Sequence, residues 1–224
     1  MLLRTLCGGA NVIDKIQCEK KIGSDKHKYL IALLERVQLN KPLYETVSKD
    51  LYDKARNVFY NNNTSEFEDW QIGNIGFLAS YNGRWFDGRY AKSGYEKTKN
   101  GQKYRDYYQE SKNNILKQAP NLSNIEFQCK DYREYKCEDL FDCVIYADPP
   151  YQGRKQYENS KDFDYKNFWK IMREWSKNNV VLISELTAPD DFVSIWEQSV
   201  NRSIKPTDKH NVTEKLFIHK SLVA

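Results

Sequence analysis

The sequence Asp148-Pro149-Pro150-Tyr151 sets a carboxylate and an aromatic ring on either side of two prolines. Prolines fix the backbone and donate no hydrogen bond, while their carbonyls remain free to accept one. The motif directly follows residues 141–147, a nearly continuous apolar run that is typical of a strand buried on both faces. Ligands bind at the carboxyl ends of strands in open α/β sheets, so the motif is a candidate site. A rigid surface turn capped by Asp148 would have the same sequence.

A second candidate set lies near the N-terminus and has the composition of a cofactor site. Gly8 and Gly9, within residues 7–11, would let the backbone approach a ligand closely. Asp25 ends a predicted short strand at Lys21–Asp25 and could accept hydrogen bonds from two ribose hydroxyls. On its own this pattern equally suggests a nicotinamide enzyme. The glycines could also form a tight turn, and Asp25 could cap the following helix.

The middle of the chain interleaves basic and aromatic residues. The cations are Arg84, Arg89, Lys92, Lys97, Lys99, Lys103 and Arg105, and the aromatic residues are Trp85, Phe86, Tyr90, Tyr95 and Tyr104. On a flexible segment such residues suit phosphate contact and base stacking, although a solvated lysine-rich loop has the same composition. The net charge of +4 is compatible with a polyanionic partner.

The pattern of apolar residues predicts the scaffold that must position these candidates. Strands are expected at 21–25, 125–129, 141–147, 180–184 and 214–219, and helices at 26–37 and 168–175. Alternation of this kind predicts an α/β fold with a doubly wound, mostly parallel sheet. We expect the sheet domain to comprise residues 1–42 and 117–224, interrupted by a mainly helical insertion at 43–116.

Composition argues against several classes of protein. The five cysteines include no Cys-x-x-Cys pair and the three histidines have no ligand spacing, so we expect no metal site and reduced thiols. No apolar run approaches the roughly 18 residues of a membrane span. The N-terminus lacks the apolar core of a signal peptide. The sequence therefore predicts a soluble, cytoplasmic protein without membrane association.

Several segments, in the same order along the chain, resemble motifs of the Dam-type (D12 class) DNA adenine methyltransferases over nearly the whole length. The Asp-Pro-Pro-Tyr sequence resembles their catalytic motif, and the resemblance implies a Rossmann-like methyltransferase sheet with S-adenosyl-L-methionine as the cofactor. The implied cofactor-binding residues are Cys7, Gly8, Gly9, Asn11, Asp25, Lys26, Asp131, Tyr132 and Asp148.

The resemblance also implies a reaction for the motif, namely methylation of the exocyclic amino group of adenine. The lone pair of such an amine is delocalised into the ring, and acceptance of its hydrogens by the Asp148 carboxylate and the Pro149 carbonyl would localise that lone pair. Tyr151 would stack on a base extruded from the duplex. The implied catalytic residues are Asp148, Pro149, Pro150 and Tyr151.

Residues 80–88 resemble the Tyr-Asn-Gly element of the family's DNA-recognition region, which would correspond to residues 43–116. The partner implied is double-stranded DNA, and the implied DNA-binding residues are Tyr81, Asn82, Gly83, Arg84, Asp87 and Arg89. Arg84 could pair with a guanine or with a phosphate. The resemblance is also compatible with a partner restriction endonuclease, whereas the recognition sequence and the oligomeric state cannot be read from these residues.

The chain departs from the family pattern at its start, at Leu186 and at Arg154, where relatives tend to have a threonine. Relatives begin with a Lys- and Gly-rich segment that touches the cofactor, and they reach the glycine loop through a strand reading Glu-Pro-Phe. This sequence reaches it through Arg4-Thr5-Leu6, so we expect the central strand at 2–6 and a cofactor pocket with lower affinity. In a later strand, Leu186 stands where relatives have a tyrosine.

Two other functions fit parts of the sequence. One is a DNA-binding module without turnover, and the other is a methyltransferase acting on an amino group of RNA or protein. Relatives of the second kind more often have Asn at the position of Asp148 and lack the Tyr-Asn-Gly-Arg segment. A nicotinamide oxidoreductase would leave the Asp-Pro-Pro-Tyr motif without a role.

Overall fold

The computed structural model describes residues 1–98, 101–153, 162–203 and 209–223. The chain divides into two compact units, of which the first comprises Met1–Cys7, Gln17–Lys26 and Lys130–Ala224 and the second comprises Gly8–Ile16 and His27–Cys129. In chain order the elements are β1 (Leu2–Thr5), β2 (Lys21–Asp25), α1 (Lys28–Gln38), α2 (Lys49–Tyr60), α3 (Asp69–Gly73), β3 (Gly94–Thr98), β4 (Gly101–Arg105), α4 (Tyr107–Leu116), α5 (Ala119–Leu122), β5 (Ile125–Cys129), β6 (Val144–Ala147), α6 (Tyr165–Trp175), β7 (Val180–Glu185), β8 (Phe192–Ser203) and β9 (Lys209–His219).

The strands of the first unit lie side by side in the order β2-β1-β6-β7-β9-β8. β1 pairs in parallel with both β2 and β6, and β7 is parallel to β6. β9 is antiparallel to β7, and β8 is antiparallel to β9. The predicted α/β class with a mostly parallel sheet is therefore confirmed, and the central strand expected at 2–6 is present as β1.

Apolar side chains of the strands and of α6 form the core of the first unit. Asp164 caps α6, its side chain accepting a hydrogen bond of 2.9 Å from the Asn167 backbone N–H. The helix then turns one apolar face inward, since its buried residues recur at helical spacing. The core includes Leu3, Ile145, Ala147, Val181, Ile183, Phe168, Trp169, Met172 and Trp175.

Two strand predictions for the first unit need correction. The strand expected at 141–147 begins only at Val144, because Asp142 has a left-handed backbone (φ 52°) and the Phe141 side chain is 74% exposed. β8 was not predicted at all, because a register shift between Ser194 and Trp196 breaks the alternation that marks a strand. Pairing with β8 also makes β9 longer than the predicted strand at 214–219.

The second unit contains the helices α1 to α5 and the strand β5, which was predicted at 125–129. The helix expected at 26–37 is confirmed as α1, which begins two residues later because His27, rather than Asp25, is its N-cap. His27 Nδ1 accepts a hydrogen bond of 3.3 Å from the Leu30 backbone N–H. Ser48 and Asp106 cap α2 and α4 in the same way.

The basic and aromatic segment that was expected to be flexible contains an antiparallel hairpin, β3–β4. Tyr95 and Tyr104 face each other across the two strands, with ring centroids 5.3 Å apart. Both rings are exposed, so the hairpin is an ordered surface element rather than a structureless loop. Lys99 lies outside the described residues.

Candidate active site

Asp148 follows the last residue of β6 directly and lies beside the central strand β1. Its Oδ2 is 3.5 Å from Nη2 of Arg4, which belongs to β1. The Arg4 side chain is only 6% exposed, whereas that of Asp148 remains 34% exposed. Burial raises the pKa of Asp148, the Arg4 guanidinium opposes that rise, and Glu214 on β9 adds to it. The carboxylate is thus accessible while it is held next to a buried cation.

The two prolines that follow Asp148 have carbonyls in different situations. Tyr165 donates a hydrogen bond of 2.8 Å to the Pro150 carbonyl. Among the described residues none donates to the carbonyl of Pro149, although Pro149 itself is buried. A carbonyl acceptor without a donor therefore lies one residue from the Asp148 carboxylate.

Tyr151 is held by the neighbouring strand β7. Its hydroxyl lies 2.7 Å from Ser184 Oγ, within hydrogen-bond distance. Burial raises the pKa of Tyr151 to about 12, so the ring is that of a neutral phenol. Ser184 fixes the hydroxyl end of the ring, and the two preceding prolines restrict the backbone from which the side chain extends.

Glu185, the last residue of β7, supports the loop after the motif. It is buried, and its two carboxylate oxygens accept hydrogen bonds from the Gln152 N–H (3.1 Å) and the Leu186 N–H (2.7 Å). Burial raises the pKa of Glu185. Sequence patterns alone did not assign this residue a role, although its place at the end of a buried strand next to β6 was a signal.

Arg4 is the residue of the site that sequence reasoning missed. Its guanidinium lies over the Tyr146 ring, 5.2 Å from the centroid. Within the described residues its Nε and Nη1 atoms are buried without a hydrogen-bond partner, and so are Oγ1 of Thr5 and Oγ of Ser24. A charged residue inside the apolar run at the chain start was the available signal, since buried charges are rare. Unpaired polar atoms at the ends of β1 and β2 suit a polar ligand such as a cofactor.

The remaining predicted cofactor residues of the first unit differ in how much of the side chain is accessible. Cys7 is buried, and burial raises the pKa of its thiol. Its backbone N–H donates to the Ser24 carbonyl at 2.9 Å. Asp25, at the end of β2, is half-buried, and Lys26 is exposed. Asp25 therefore stands at the same sheet edge as Asp148, as the prediction required.

Asp131 and Tyr132 have side chains that are already engaged. Arg133 donates two hydrogen bonds of 2.8 Å to the Asp131 carboxylate, and this pairing lowers the pKa of Asp131. Tyr132 is buried and packs against Phe163 and Phe168. Both side chains therefore already have partners within the first unit.

The predicted glycine loop lies in the second unit. Gly8 has a φ of 50°, and an added Cβ would meet no atom within 4 Å, so conformation rather than space makes glycine suitable there. Gln118 Nε2 donates to Asn11 Oδ1 (2.5 Å) and to the Gly9 carbonyl (3.3 Å). The loop is thus tied down by a glutamine that sequence reasoning did not identify.

The predicted DNA-binding residues also lie in the second unit, on a closed loop. The Tyr81 N–H donates to the Arg89 carbonyl at 2.8 Å, and Ser80 forms a bridge with Tyr90. Tyr52 on α2 holds the loop through its hydroxyl, which lies 3.0 Å from Ser80 Oγ. All six residues that the sequence predicted to bind DNA are exposed on this loop: Tyr81, Asn82, Gly83, Arg84, Asp87 and Arg89.

Trp85 anchors this loop to an aromatic cluster. Its side chain is buried, and its ring centroid lies 4.3 Å from that of His27 and 4.5 Å from that of Phe77. An added Cβ on Gly76 would come within 2.5 Å of the Trp85 ring, so that glycine makes room for the indole. The underside of the loop is therefore fixed while its outer residues face solvent.

A groove of about 930 Å³ runs between this loop and α2, within the second unit. Three of its cations, Arg56, Arg89 and Lys92, have no carboxylate partner among the described residues, whereas Lys49 pairs with Asp53. The groove is lined by Lys49, Tyr52, Asp53, Arg56, Tyr81, Asp87, Gly88, Arg89, Tyr90, Lys92 and Tyr107. Unpaired cations among tyrosines suit a phosphate-bearing ligand.

The parts of the chain that the structure describes contain no helix long and apolar enough to cross a membrane. In those same ranges, no group of three or more His, Cys, Asp or Glu side chains is arranged to hold a metal ion.

Solved structures that resemble this chain are methyltransferases of low sequence identity. The rRNA methyltransferase AviRa from Streptomyces viridochromogenes is 9% identical with a TM-score of 0.38, over 97% of this chain and 75% of that one. SMU.472, a putative methyltransferase complexed with SAH, is 11% identical with a TM-score of 0.33, over 95% of this chain and 51% of that one. A putative RNA methyltransferase, PH1948 from Pyrococcus horikoshii, is 15% identical with a TM-score of 0.27, over 50% and 57%. Scores this low support no conclusion about activity.

No curated protein matches the chain. A family model does match it: that of the D12 class N6 adenine-specific DNA methyltransferases, over residues 6–209. The matched range includes the glycine loop, the recognition loop and the Asp-Pro-Pro-Tyr motif, so the resemblance stated from these segments is confirmed. The chain belongs to the D12 class of N6 adenine-specific DNA methyltransferases, enzymes that take their methyl group from S-adenosyl-L-methionine.

Proposed function

We propose that this chain methylates an adenine extruded from duplex DNA, and that Asp148 and Pro149 hold the amino group that is modified. When bound, the cofactor supplies the methyl group from its sulfonium centre. The observation that carries the assignment is the pair of adjacent acceptors, the accessible Asp148 carboxylate and the Pro149 carbonyl to which no described residue donates.

Two acceptors explain how a poor nucleophile becomes reactive. The lone pair of an aromatic amine is delocalised, and hydrogen bonds from both of its N–H groups favour a pyramidal nitrogen. As the nitrogen gains positive charge in the transition state, the Asp148 carboxylate stabilises it. The same carboxylate can then accept the proton that the alkylated nitrogen releases. Asp148 must be ionised for each of these steps.

Tyr151 and its supports make the site rigid before a base arrives. Ser184 fixes the Tyr151 hydroxyl, and Tyr165 fixes the Pro150 carbonyl. A neutral phenol ring held in this way offers a flat face on which a base can stack. Positioning of this kind supplies much of the rate enhancement in reactions that require in-line transfer.

We propose base extrusion because a base inside the duplex could not present its amino group to the Asp148 carboxylate and the Pro149 carbonyl together. Fluorescence of 2-aminopurine, placed at the target position of a duplex, tests this step because the base brightens when it leaves the stack. We expect an increase when the chain binds. Bound duplex without any increase would contradict extrusion.

Cofactor binding is assigned in the first unit to Cys7, Asp25, Lys26 and Asp148, and in the second unit to Gly8, Gly9 and Asn11. The support is the left-handed glycine loop and the half-buried carboxylate at the end of β2. Asp131 and Tyr132 are assigned to the cofactor's adenine, with the Asp131 carboxylate held by Arg133 and the Tyr132 ring packed against Phe168.

On the DNA side, we assign base and phosphate contacts to different parts of the second unit, which contains the region 43–116. Asn82 and Arg84, at the exposed tip of the loop, suit base edges because the Asn82 amide offers a donor beside an acceptor and the Arg84 guanidinium offers paired donors. Arg56, Arg89 and Lys92 suit phosphates because no carboxylate of the described residues forms an ion pair with them. Double-stranded DNA in the cytoplasm is the substrate we propose, and a restriction endonuclease acting on the same site is a partner consistent with the family.

Transfer of a radioactive methyl group from S-adenosyl-L-methionine to unmethylated DNA tests the catalytic assignment. Asp148→Ala should reduce transfer by at least about 1000-fold, because it removes a group that acts in the transition state. DNA affinity should remain within about twofold, since no phosphate contact is lost. Asp139→Ala, an exposed carboxylate of the same unit, is the matched control and should retain activity. Equal activity in Asp148→Ala would remove Asp148 from the mechanism.

A further inference from the structure

Arg4 is a buried cation, and the described residues use little of its hydrogen-bonding capacity. Among them its ion-pair partner is Asp148, whose Oδ2 lies 3.5 Å from Nη2, the long limit of a hydrogen bond. Nε and Nη1 are buried, and no described residue accepts from them. A guanidinium has five N–H donors, and buried charged donors are stable only when acceptors meet them. These donors point to an acceptor that is not part of the described chain.

The surroundings of Arg4 are polar in the same way. Thr5 and Ser24 are register partners on β1 and β2, and both side-chain oxygens are buried without a partner in the described residues. Core side chains are rarely unsatisfied in groups, and an unsatisfied group calls for an explanation such as a ligand. All three residues lie near the carboxyl ends of strands, where open α/β sheets bind ligands.

The shape and charge of the pair identify the ligand chemistry. A planar guanidinium fork matches a carboxylate, with which it forms two parallel hydrogen bonds. Arg4 and Asp148 side by side present one cation and one anion, which is the complement of a zwitterionic amino acid. S-adenosyl-L-methionine ends in such a group, with a carboxylate and an ammonium on one carbon.

We propose that Arg4 binds the carboxylate at the amino-acid end of S-adenosyl-L-methionine, using the nitrogens for which no described residue provides a hydrogen-bond acceptor, while Asp148 faces the ammonium. The inference rests on the proposed function only in taking Asp148 to line the cofactor site.

Calorimetric titration with two ligands tests the contact without any turnover. The ligands are S-adenosyl-L-homocysteine and its decarboxylated analogue, which keeps the amine and the nucleoside but lacks the carboxylate. The native chain should bind the first at least about tenfold more tightly, the typical effect of a charge-assisted bidentate pair. Arg4→Gln should lose this preference and bind the decarboxylated analogue within about twofold of the native affinity.

Two further variants make the result specific. Arg173→Gln removes another arginine of the same unit, one paired with Asp191, and should keep the preference for the carboxylate. Arg4→Lys keeps the charge but not the planar fork, and should retain only part of the preference. If circular dichroism shows that Arg4→Gln does not fold, the Arg4→Lys variant tests the contact in its place.

Three outcomes would overturn the inference. The first is a native chain without a preference for the carboxylate ligand, and the second is an Arg4→Gln variant that loses affinity equally for both ligands. The third is an Arg4→Lys variant with the full native preference. If any of these occurs while Asp148→Ala still abolishes methyl transfer, the proposed function stands and only the role of Arg4 is withdrawn.

Discussion

The two units of this methyltransferase concentrate polar groups in opposite places. In the first unit the candidate site is built from partly or wholly buried polar residues at strand ends, including Arg4, Asp148 and Glu185. In the second unit the buried part of the recognition loop is aromatic, centred on Trp85, and its polar residues face solvent. Chemistry on a single group of atoms needs a low-dielectric, preorganised site, whereas contact with DNA needs accessible charge.

This difference predicts how stability and function are linked in each unit. In the second unit, the buried aromatic residues around Trp85 form a frame, and the exposed residues proposed to contact DNA are different ones. Stability and DNA binding should therefore respond to different substitutions. In the first unit, the functional groups are themselves buried, and those without partners reduce stability. Function and stability should therefore oppose each other there, as they often do at active sites.

The largest effect that we expect is on the aromatic frame of the second unit. Trp85→Ala should lower the free energy of unfolding by about 3–5 kcal/mol, because it removes the ring against which Phe77 and His27 pack. Tyr81→Ala, on the exposed face of the same loop, should change it by no more than about 0.5 kcal/mol. Urea denaturation of both variants measures the contrast. A Tyr81 variant as unstable as the Trp85 variant would contradict the claim that the exposed loop residues contribute little to stability.

A smaller effect is expected on sequence discrimination by the loop tip. Arg84→Ala should reduce the preference for the cognate duplex over one with a single changed base pair by about 1–3 kcal/mol, if it reads a base edge. Competition binding with the two duplexes gives this number, once sequencing of methylated adenines has identified the site. Lys54, which is paired with Glu66 on the same unit, is the control, and Lys54→Ala should leave the preference unchanged.

An Arg84 variant that weakens both duplexes equally would assign Arg84 to a phosphate. In that case the loop tip would behave like the groove cations, and base reading would have to come from other residues.

The smallest effect that we expect is an increase in the free energy of unfolding. Thr5→Val replaces a buried hydroxyl without a partner by a methyl group of similar size, and should raise the free energy of unfolding by up to about 1 kcal/mol. Ser176→Ala removes a buried hydroxyl that donates to the Met172 carbonyl at 2.7 Å, and should lower it by about 1 kcal/mol. Thermal denaturation compares the two. Destabilisation by both would show that the Thr5 hydroxyl is satisfied in solution.

Most of the scaffold could be predicted from apolar periodicity, and the failures have local causes. β2 matched its prediction because nearly all of it is buried, and β5 and β7 matched theirs because their buried residues alternate with more exposed ones. The strand predicted at 141–147 was too long, because hydrophobicity does not indicate the left-handed backbone conformation of Asp142. β8 and the β3–β4 hairpin were missed because their exposed, polar residues lack the alternation of a half-buried strand.

The site was predictable as a motif but not as a set of contacts. The Asp-Pro-Pro-Tyr sequence marked its location without help from the structure. The pairing of Arg4 with Asp148 could not be foreseen, because it joins residues 144 positions apart that meet only when β1 and β6 pair. The same holds for Gln118, whose contact with Asn11 depends on how the second unit folds.

Single-turnover methyl transfer as a function of pH, with native and Asp148→Asn chains at saturating cofactor and DNA, tests the central claim most directly. Burial raises the pKa of Asp148, so the native rate should be low in acid and rise as the carboxylate ionises, at a pH above the ordinary range for aspartate. The Asn variant keeps the shape but not the charge, and should be at least about 100-fold slower with no such rise. A variant that transfers at the native rate, or that shows the same rise with pH, would contradict the assignment of the Asp148 carboxylate to the reacting amine.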